Sequence, residues 1–251
     1  MEWSGLVNTQ SILRAMTQAA DAGAQLCVFP ELAVTGFHRQ IRNEAVPSQV
    51  QAHLQGIQHA CVNHSMTVVV GSPTFGDEGR VFNSYVFIDE QGNLAGTVEK
   101  MGLTPAEETF FARGSTRSAI RLRHCRSTAI LCREIDDLQA IQREVRELKP
   151  EIIFWPGAMR PAVDGTEPDP QAHVKKAQQL AQGSGAFIVQ ANWPNSLNYP
   201  DESEFAGQSV VISPDGEILV RLPTAAAGVG VFELGQTTFE WFAQADESRS
   251  L

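Results

Sequence analysis

Apolar residues recur along this chain with two periods, and the two periods alternate. In residues 7–22, Ile12, Leu13, Met16, Ala19 and Ala20 lie at helical spacing, which predicts an amphipathic helix started by Asn8 or Thr9 and ended at Ala22-Gly23-Ala24. Residues 25–30, Q-L-C-V-F-P, form a short β-rich run that predicts a buried strand leading directly into Glu31. Helical spacing returns over 49–64 through Leu54, Ile57, Ala60 and Cys61. Three β runs follow: the β-branched 67–72, then 81–89 with its E-Q-G-N turn, then 94–100 ending on Lys100. A strand pair is predicted at 118–122 and 127–132, broken by R-H-C-R, and the second run stops at Cys132 before turning abruptly polar.

The second half repeats the alternation. A helix over 136–149, with Leu138, Ile141, Val145 and Leu148 on one face, is closed by Pro150. A strand at 151–155, a polar proline-rich loop at 161–170, a helix at 172–184 and a strand at 186–192 come next. Strands at 209–213 and 218–221 flank the turn Pro214-Asp215-Gly216, and 228–234 reads as the last strand before a polar tail frayed from Ala243. No linker, repeat or low-complexity tract divides the chain. The pattern predicts one α/β domain over residues 1–251, with a mixed sheet or two sheets covered by helices.

Composition removes several function classes. The chain has 251 residues, 43% hydrophobic and 19% charged, an ordinary globular balance. A formal charge of −10 and a pI near 5.1 repel phosphate backbones, so nucleic acid is not expected as a partner. No apolar run approaches the roughly 18 residues of a membrane span. The opening M-E-W-S-G has no basic leader, and Cys27, Cys61, Cys125 and Cys132 show no disulfide or zinc spacing. They read as free thiols of a cytoplasmic protein without metal or cofactor.

The chemistry must then come from side chains at strand ends, where open α/β sheets keep their sites. Position alone leaves Cys132 as either a core thiol or a nucleophile, and Glu31 as either a loop charge or a base. Pro30 stiffens the backbone before Glu31, and V-F-P and L-A-V flank it with apolar neighbours that would raise its pKa. None of the six histidines sits in a recognisable cysteine or serine hydrolase motif. Glu31, Lys100 and Cys132 together supply what cysteine hydrolysis requires: a proton acceptor, a cation for the oxyanion and a thiol. On this reading Cys132 is expected to be alkylated faster than the other thiols because its pKa is low.

V-F-P-E-L-A-V-T-G-F around Glu31, E-K-M-G-L around Lys100 and A-I-L-C-R-E around Cys132 resemble the nitrilase, or carbon–nitrogen hydrolase, superfamily. The resemblance extends downstream through I-I-F-W-P-G-A-M, A-F-I-V-Q-A-N-W and G-Q-S-V-V-I-S-P-D-G. It implies a four-layer α-β-β-α sandwich of two mixed sheets covered by helices, and a Glu31-Lys100-Cys132 triad acting through a thioester. It also implies a second active-site glutamate, Glu107 or else Glu108, with no cofactor and a homodimer packed through helices. The implied substrate is a small amide; a nitrile is the alternative within the family, and an acyltransferase is disfavoured because that branch is usually membrane-associated. Substrate contacts are expected from Arg133 (through its backbone N–H), Glu134, Trp155, Asn192 and Trp193, the last within the W-P-N-S-L-N-Y-P loop.

Two departures qualify the resemblance. I-D-D-L replaces the family's turn after the acidic residue that follows the cysteine, which alters the substrate pocket. The family's opening strand, ahead of the first helix, has no counterpart in the pattern. A non-catalytic binding or assembly protein that keeps the fold is therefore the rival reading from a different class.

Overall fold

Runs that are apolar at every position, such as Val68-Val69-Val70, must be buried on both faces, and the structure puts them between helices and a second sheet. The computed structural model describes residues 3–38, 40–123, 125–159, 172–198, 207–224 and 226–244. The loop expected at 161–170, the end of the W-P-N-S-L-N-Y-P loop at Tyr199 and Pro200, and the tail beyond 244 lie outside the described residues.

In chain order the elements are α1 (Gly5–Asp21), β1 (Leu26–Val28), α2 (Pro47–His64), β2 (Thr67–Phe75), β3 (Val81–Ile88), β4 (Leu94–Glu99) and α3 (Pro105–Glu108). They continue with β5 (Ile120–Leu122), β6 (Cys125–Ala129), α4 (Leu138–Leu148), β7 (Ile152–Gly157), α5 (Ala172–Ser184) and β8 (Phe187–Asn192). Last come β9 (Val210–Ile212), β10 (Ile218–Arg221), β11 (Gly228–Phe232) and β12 (Phe239–Ala243). One sheet runs β1-β2-β3-β4 and the other β10-β9-β8-β7-β6-β5, both with parallel and antiparallel neighbours.

The alternation of side chains across each strand sorts the core into layers. Val68, Val70, Val86 and Ile88 face α1 and α2, where they meet Ile12, Met16, Ile57 and Cys61. Val69, Tyr85 and Phe87 point the other way, against Phe154, Val189 and Val211 of the second sheet. Ile153, Trp155 and Ile188 complete that sheet's outer face under α4 and α5. The result is the expected four layers, helix–sheet–sheet–helix. Phe87 and Phe154 meet edge-on across the middle at 5.9 Å between ring centres, a contact worth about 0.5–1.5 kcal/mol beyond burial.

Three expectations change. The cap of α1 is Ser4, whose hydroxyl accepts from the Val7 N–H at 3.5 Å, while Asn8 and Thr9 lie buried inside the helix. The strand ending at residue 132 stops at Ala129 instead, and Cys132 opens a 3-10 turn, Cys132–Asp137, that delays α4 to Leu138. Residues 228–234 are not the last strand, because β12 pairs antiparallel with β11. Its alternating F-E-W-F was hidden by polar flanks, and Gly228 makes the room it needs, since a Cβ there would lie 2.4 Å from the Trp241 ring. Three-residue β1 is the outermost strand of its sheet among the described residues, at the edge where the family's opening strand was expected to be missing. None of the helices described is long and apolar enough to cross a membrane.

Candidate active site

Glu31 owes its position to a close approach between two backbones. The ladder of β1 and β2 runs on to Phe29, whose N–H donates to Val69 O at 2.9 Å, and the chain then turns tightly, with Leu32 at φ +50°. Gly71 on β2 supports this turn. A Cβ on Gly71 would sit 2.2 Å from Leu32 N and 2.7 Å from the Glu31 carbonyl carbon, closer than any real contact. From the far side, Trp193 Nε1 donates to Glu31 O at 2.7 Å. Gly71→Ala is therefore expected to displace Glu31 and to destabilise the fold by about 1–3 kcal/mol. Thermal unfolding, compared with the conservative change Val70→Ala one residue away, checks it; an unchanged melting temperature for Gly71→Ala would refute this account of the turn.

Lys100 follows β4, and β3 holds it. Its N–H donates to Asn83 O at 2.8 Å and its carbonyl accepts from Gly114 at 2.9 Å, which closes the loop between them. The side chain is 1% exposed, and Nζ lies 2.7 Å from Glu31 Oε1 and 2.6 Å from Glu107 Oε1. Glu107 uses its other oxygen to accept from the Thr104 N–H at 2.8 Å, while Thr104 Oγ1 accepts from the Glu107 N–H at 3.2 Å. Capping α3 and binding the lysine are thus separate tasks of one carboxylate. Glu108 points to Arg113 on the exposed side, so of the two candidate second glutamates it is Glu107 that reaches Lys100.

Cys132 opens its turn in the left-handed region at φ +51°, sparsely populated for a residue with a side chain, and Trp155 Nε1 holds its carbonyl at 3.0 Å. Its Sγ lies 3.4 Å from Met159 Sδ and receives the Ala158 backbone N–H. Glu31, Lys100 and Glu107 all act electrostatically on this thiol, so the three residues singled out at strand ends do converge. His124 lies outside the described residues, and the described histidines are not among the groups acting on the thiol.

Burial and the mixture of charges set the protonation states. Burial, followed by the nearby Glu31, pushes the Cys132 thiol up to about 12, against the partial relief from Lys100. Burial thus works against the low-pKa thiolate that the sequence reading expects. Burial raises Glu31 too, and Glu107 adds to it, while Lys100 and Asn83 pull the other way. For Glu107 burial is outweighed by Lys100 and the Thr104 contacts, which hold it below the usual carboxylate range. Burial would lower Lys100, but Glu31, Cys132 and Glu107 outweigh it and keep the ammonium charged. Two neighbouring carboxylates are thus pushed apart, one kept ionised and the other poised to exchange a proton.

Several residues expected to contact substrate also hold the backbone around the site. Trp155 is fully buried beneath Cys132. Trp193 is 8% exposed and clamps the Glu31 turn. Asn192 grips both sides of Met159: its Oδ1 accepts from the Met159 N–H at 2.7 Å and its Nδ2 donates to Met159 O at 3.1 Å. Glu134 is 1% exposed; Oε1 accepts from the N–H groups of Met101 and Gly102, and Oε2 from Leu131 N–H and Arg117. It fastens the nucleophile turn to the loop after Lys100. The Arg133 guanidinium rests on Gly102 O at 3.3 Å, and its backbone N–H directly follows the nucleophile.

Two residues were not foreseen. Met159, in the P-G-A-M run, and Asn83, in the strand 81–89, carry no local signal of a site role. Asn83 is fully buried, and its Nδ2 donates to Glu31 Oε1 at 2.8 Å. A cavity of about 360 Å³ between α2 and β2–β4, lined by Val50, Leu54, Phe75 and Leu94, lies away from all of these groups. The candidate site lies at the charge cluster instead. Among the described residues no three His, Cys, Asp or Glu side chains are grouped to hold a metal ion.

The family model described as carbon–nitrogen hydrolase matches residues 2–241. A 2-oxoglutaramate amidase of Bacillus subtilis (strain 168) is 23% identical over 202 residues, covering 79% of this chain and 73% of the relative. An arylacetonitrilase of Aspergillus niger is 26% identical over 243 residues, covering 86% and 72%. The solved structure of an amidase from Nesterenkonia sp. superposes with a TM-score of 0.73 at 21% identity, over 88% of this chain and 81% of that one.

Proposed function

This chain belongs to the carbon–nitrogen hydrolase family, and from that premise we propose that it is a single-domain amidase that hydrolyses a small amide through a Cys132 thioester. The observation that carries the reading is the convergence of Glu31 and Glu107 on the one buried ammonium of Lys100, beside the thiol.

Each role follows from charge and reach. Glu31, with a raised pKa, takes the Sγ proton as sulfur bonds to the amide carbon. The carbonyl π electrons move onto oxygen, where the Lys100 ammonium and the Arg133 backbone N–H stabilise the anion. The C–N bond then breaks, Glu31 returns its proton to nitrogen, and ammonia or an amine departs. A thioester remains. Glu31 next deprotonates a water, whose oxygen attacks the thioester carbon; the C–S bond breaks and sulfur recovers the proton as the acid leaves. Glu107 stays ionised throughout and holds Lys100 in place.

Amide chemistry leads because an amidase of Nesterenkonia sp. AN1 with this fold has been described in complex with butyramide. The arylacetonitrilase relative keeps a nitrile as the second reading. A homodimer packed through helices accompanies the proposal, and gel filtration showing only monomer would contradict that part.

Ammonia release from the full chain, over simple aliphatic amides including butyramide, ω-amides, carbamoyl compounds and nitriles, tests the function. Release from an amide, with intact mass rising by the acyl group on Cys132, is the expected result. Release from nitriles alone would move the assignment to the second reading. No release and no adduct, with Cys132 alkylated by iodoacetamide no faster than Cys125, would leave a binding protein that retains the fold.

A further inference from the structure

Asn83 touches each of the three charged residues at the site. Its backbone carbonyl accepts the Lys100 backbone N–H at 2.8 Å. Its Nδ2 donates to Glu31 Oε1 at 2.8 Å and, at 3.5 Å, leans toward Glu107 Oε1. The same two carboxylate oxygens accept from Lys100 Nζ at 2.7 and 2.6 Å. Two acceptors of like charge therefore face two donors, of which one is charged and one neutral. Two atoms are left over in this buried cluster: Glu31 Oε2 and Asn83 Oδ1 are sealed from solvent without a hydrogen-bond partner.

From this arrangement we propose that Asn83 is a positioning residue that locks Glu31 Oε1 inward so that Oε2 alone is presented for proton exchange with Cys132. The inference rests on the amidase reading above and assigns it a further component. A carboxylate bound only by Lys100 could turn about its last torsion and exchange its oxygens. A second donor from β3, fixed in a different direction by the sheet, removes that freedom. Neutrality matters as much as direction. A second cation would neutralise both carboxylates and weaken the base, while a carboxylate in place of the amide would put three acids around one ammonium. An unpartnered buried oxygen is costly to keep, and a catalytic acceptor awaiting its proton is a reason to keep it.

The titratable groups facing Glu31 are Lys100 from the end of β4, Glu107 from α3 and Cys132 from its turn, and Asn83 is the remaining donor. Removing a donor to the ionised form makes Glu31 harder to ionise. The test is the pH dependence, from 5 to 9.5, of iodoacetamide alkylation at Cys132 in the full chain, read by peptide mass. It needs no knowledge of the substrate. In the wild type the rate should climb as Glu31 ionises and then level off. In Asn83→Ala the climb should move to higher pH and the rate at pH 7 should fall about ten- to a hundredfold, the usual consequence of losing a hydrogen bond to a charged group.

Asn83→Asp separates positioning from mere filling of space. The introduced carboxyl is nearly isosteric but donates only when protonated, so its profile should be bell-shaped, reactive only where the two acids share one proton, in place of the wild-type plateau. Circular dichroism confirms which variants are folded, and Asn83→Ser replaces the alanine variant if that one is not. Profiles of folded variants that overlay the wild type would overturn the role of Asn83 and leave the amidase reading standing. A wild-type Cys132 that reacts no faster than Cys125 would overturn both.

Discussion

Cys132→Ala is expected to lower turnover by a factor on the order of 10⁴ or more while leaving the melting temperature within a few degrees of the wild type, because a covalent route has no substitute for its nucleophile. Cys132→Ser should be nearly as inactive. The hydroxyl proton is held more tightly than a thiol proton, and the cluster around Glu31 already faces a sulfur pushed up to about 12. Stability should change little, since the substitution removes one sulfur atom, which meets Met159 Sδ at 3.4 Å, and leaves the backbone contacts of the turn in place. Ammonia release on whichever amide the screen identifies measures the first expectation, and calorimetry the second. A folded Cys132→Ala protein retaining a tenth of wild-type activity would remove the thioester mechanism.

A high thiol pKa also changes what labelling experiments mean. Cys27 and Cys61 are pushed up to about 12 by burial and Cys125 to about 11, so ionisation at rest does not distinguish the four thiols. Cys61 and Cys125 also face carboxylates, Asp89 and Glu151; what distinguishes Cys132 is the pairing of a carboxylate with raised pKa, Glu31, and the Lys100 ammonium. Its preferential alkylation should therefore follow the pH dependence of a base and disappear in Glu31→Gln.

The parts of the site that were legible in the sequence share one property: each interrupts an apolar run. Glu31 follows Val-Phe-Pro, Lys100 follows a returning strand and Cys132 ends Ala-Ile-Leu, so a change of period announces each one. Sheets covered by helices were legible because continuous apolar strands require cover on both faces, while the count of four layers came from the family resemblance. Asn83 gave no such signal. A polar pair such as Asn83-Ser84 within a strand does not say which way either side chain faces, and nothing local says that this one lies inside the sandwich. Gly71 was equally silent, since its importance lies in the backbone of a different segment, 2.2 Å from where its Cβ would be.

Trp155, Trp193, Asn192 and Glu134 show what sequence leaves open. Aromatic and amide groups near strand ends have the chemistry of a pocket wall. In the structure each also spends polar atoms on the backbone of the turns around the site: Cys132 O, Glu31 O, Met159, and the Leu131 and Met101 N–H groups. Loops that hold reactive groups in left-handed or turn geometry must have their backbone polar groups satisfied, and long side chains from the neighbouring strand do this. The sequence reveals which residues are present near the site but not which way they face.

Charge counting inside the site leads to the prediction that best separates stability from catalysis. Glu31 and Lys100 are buried, the Glu107 side chain is 10% exposed, and the single ammonium is shared by two acids. Lys100→Ala leaves both carboxylates uncompensated and should cost about 3–5 kcal/mol near neutral pH, or a fall in melting temperature on the order of 10 °C. Glu31→Gln keeps an acceptor for Lys100 and Asn83 yet removes one buried charge. It should lose about 10²–10⁴-fold in turnover while melting at or above the wild-type temperature. The pH dependence fixes the sign. Without Lys100 both acids have folded-state pKa values above the unfolded value of about 4.3, so stability is fully present below that pH and is lost as the pH rises through the raised values. In the wild type Glu107 has the opposite sense: its folded pKa is depressed, and its contribution is present above the unfolded value and lost on acidification. The gap between wild type and Lys100→Ala should therefore widen from pH 4 to pH 8, as followed by thermal melts across that range. A gap that stays constant would mean that the lysine serves packing alone, and that the two carboxylates do not depend on it for their charge.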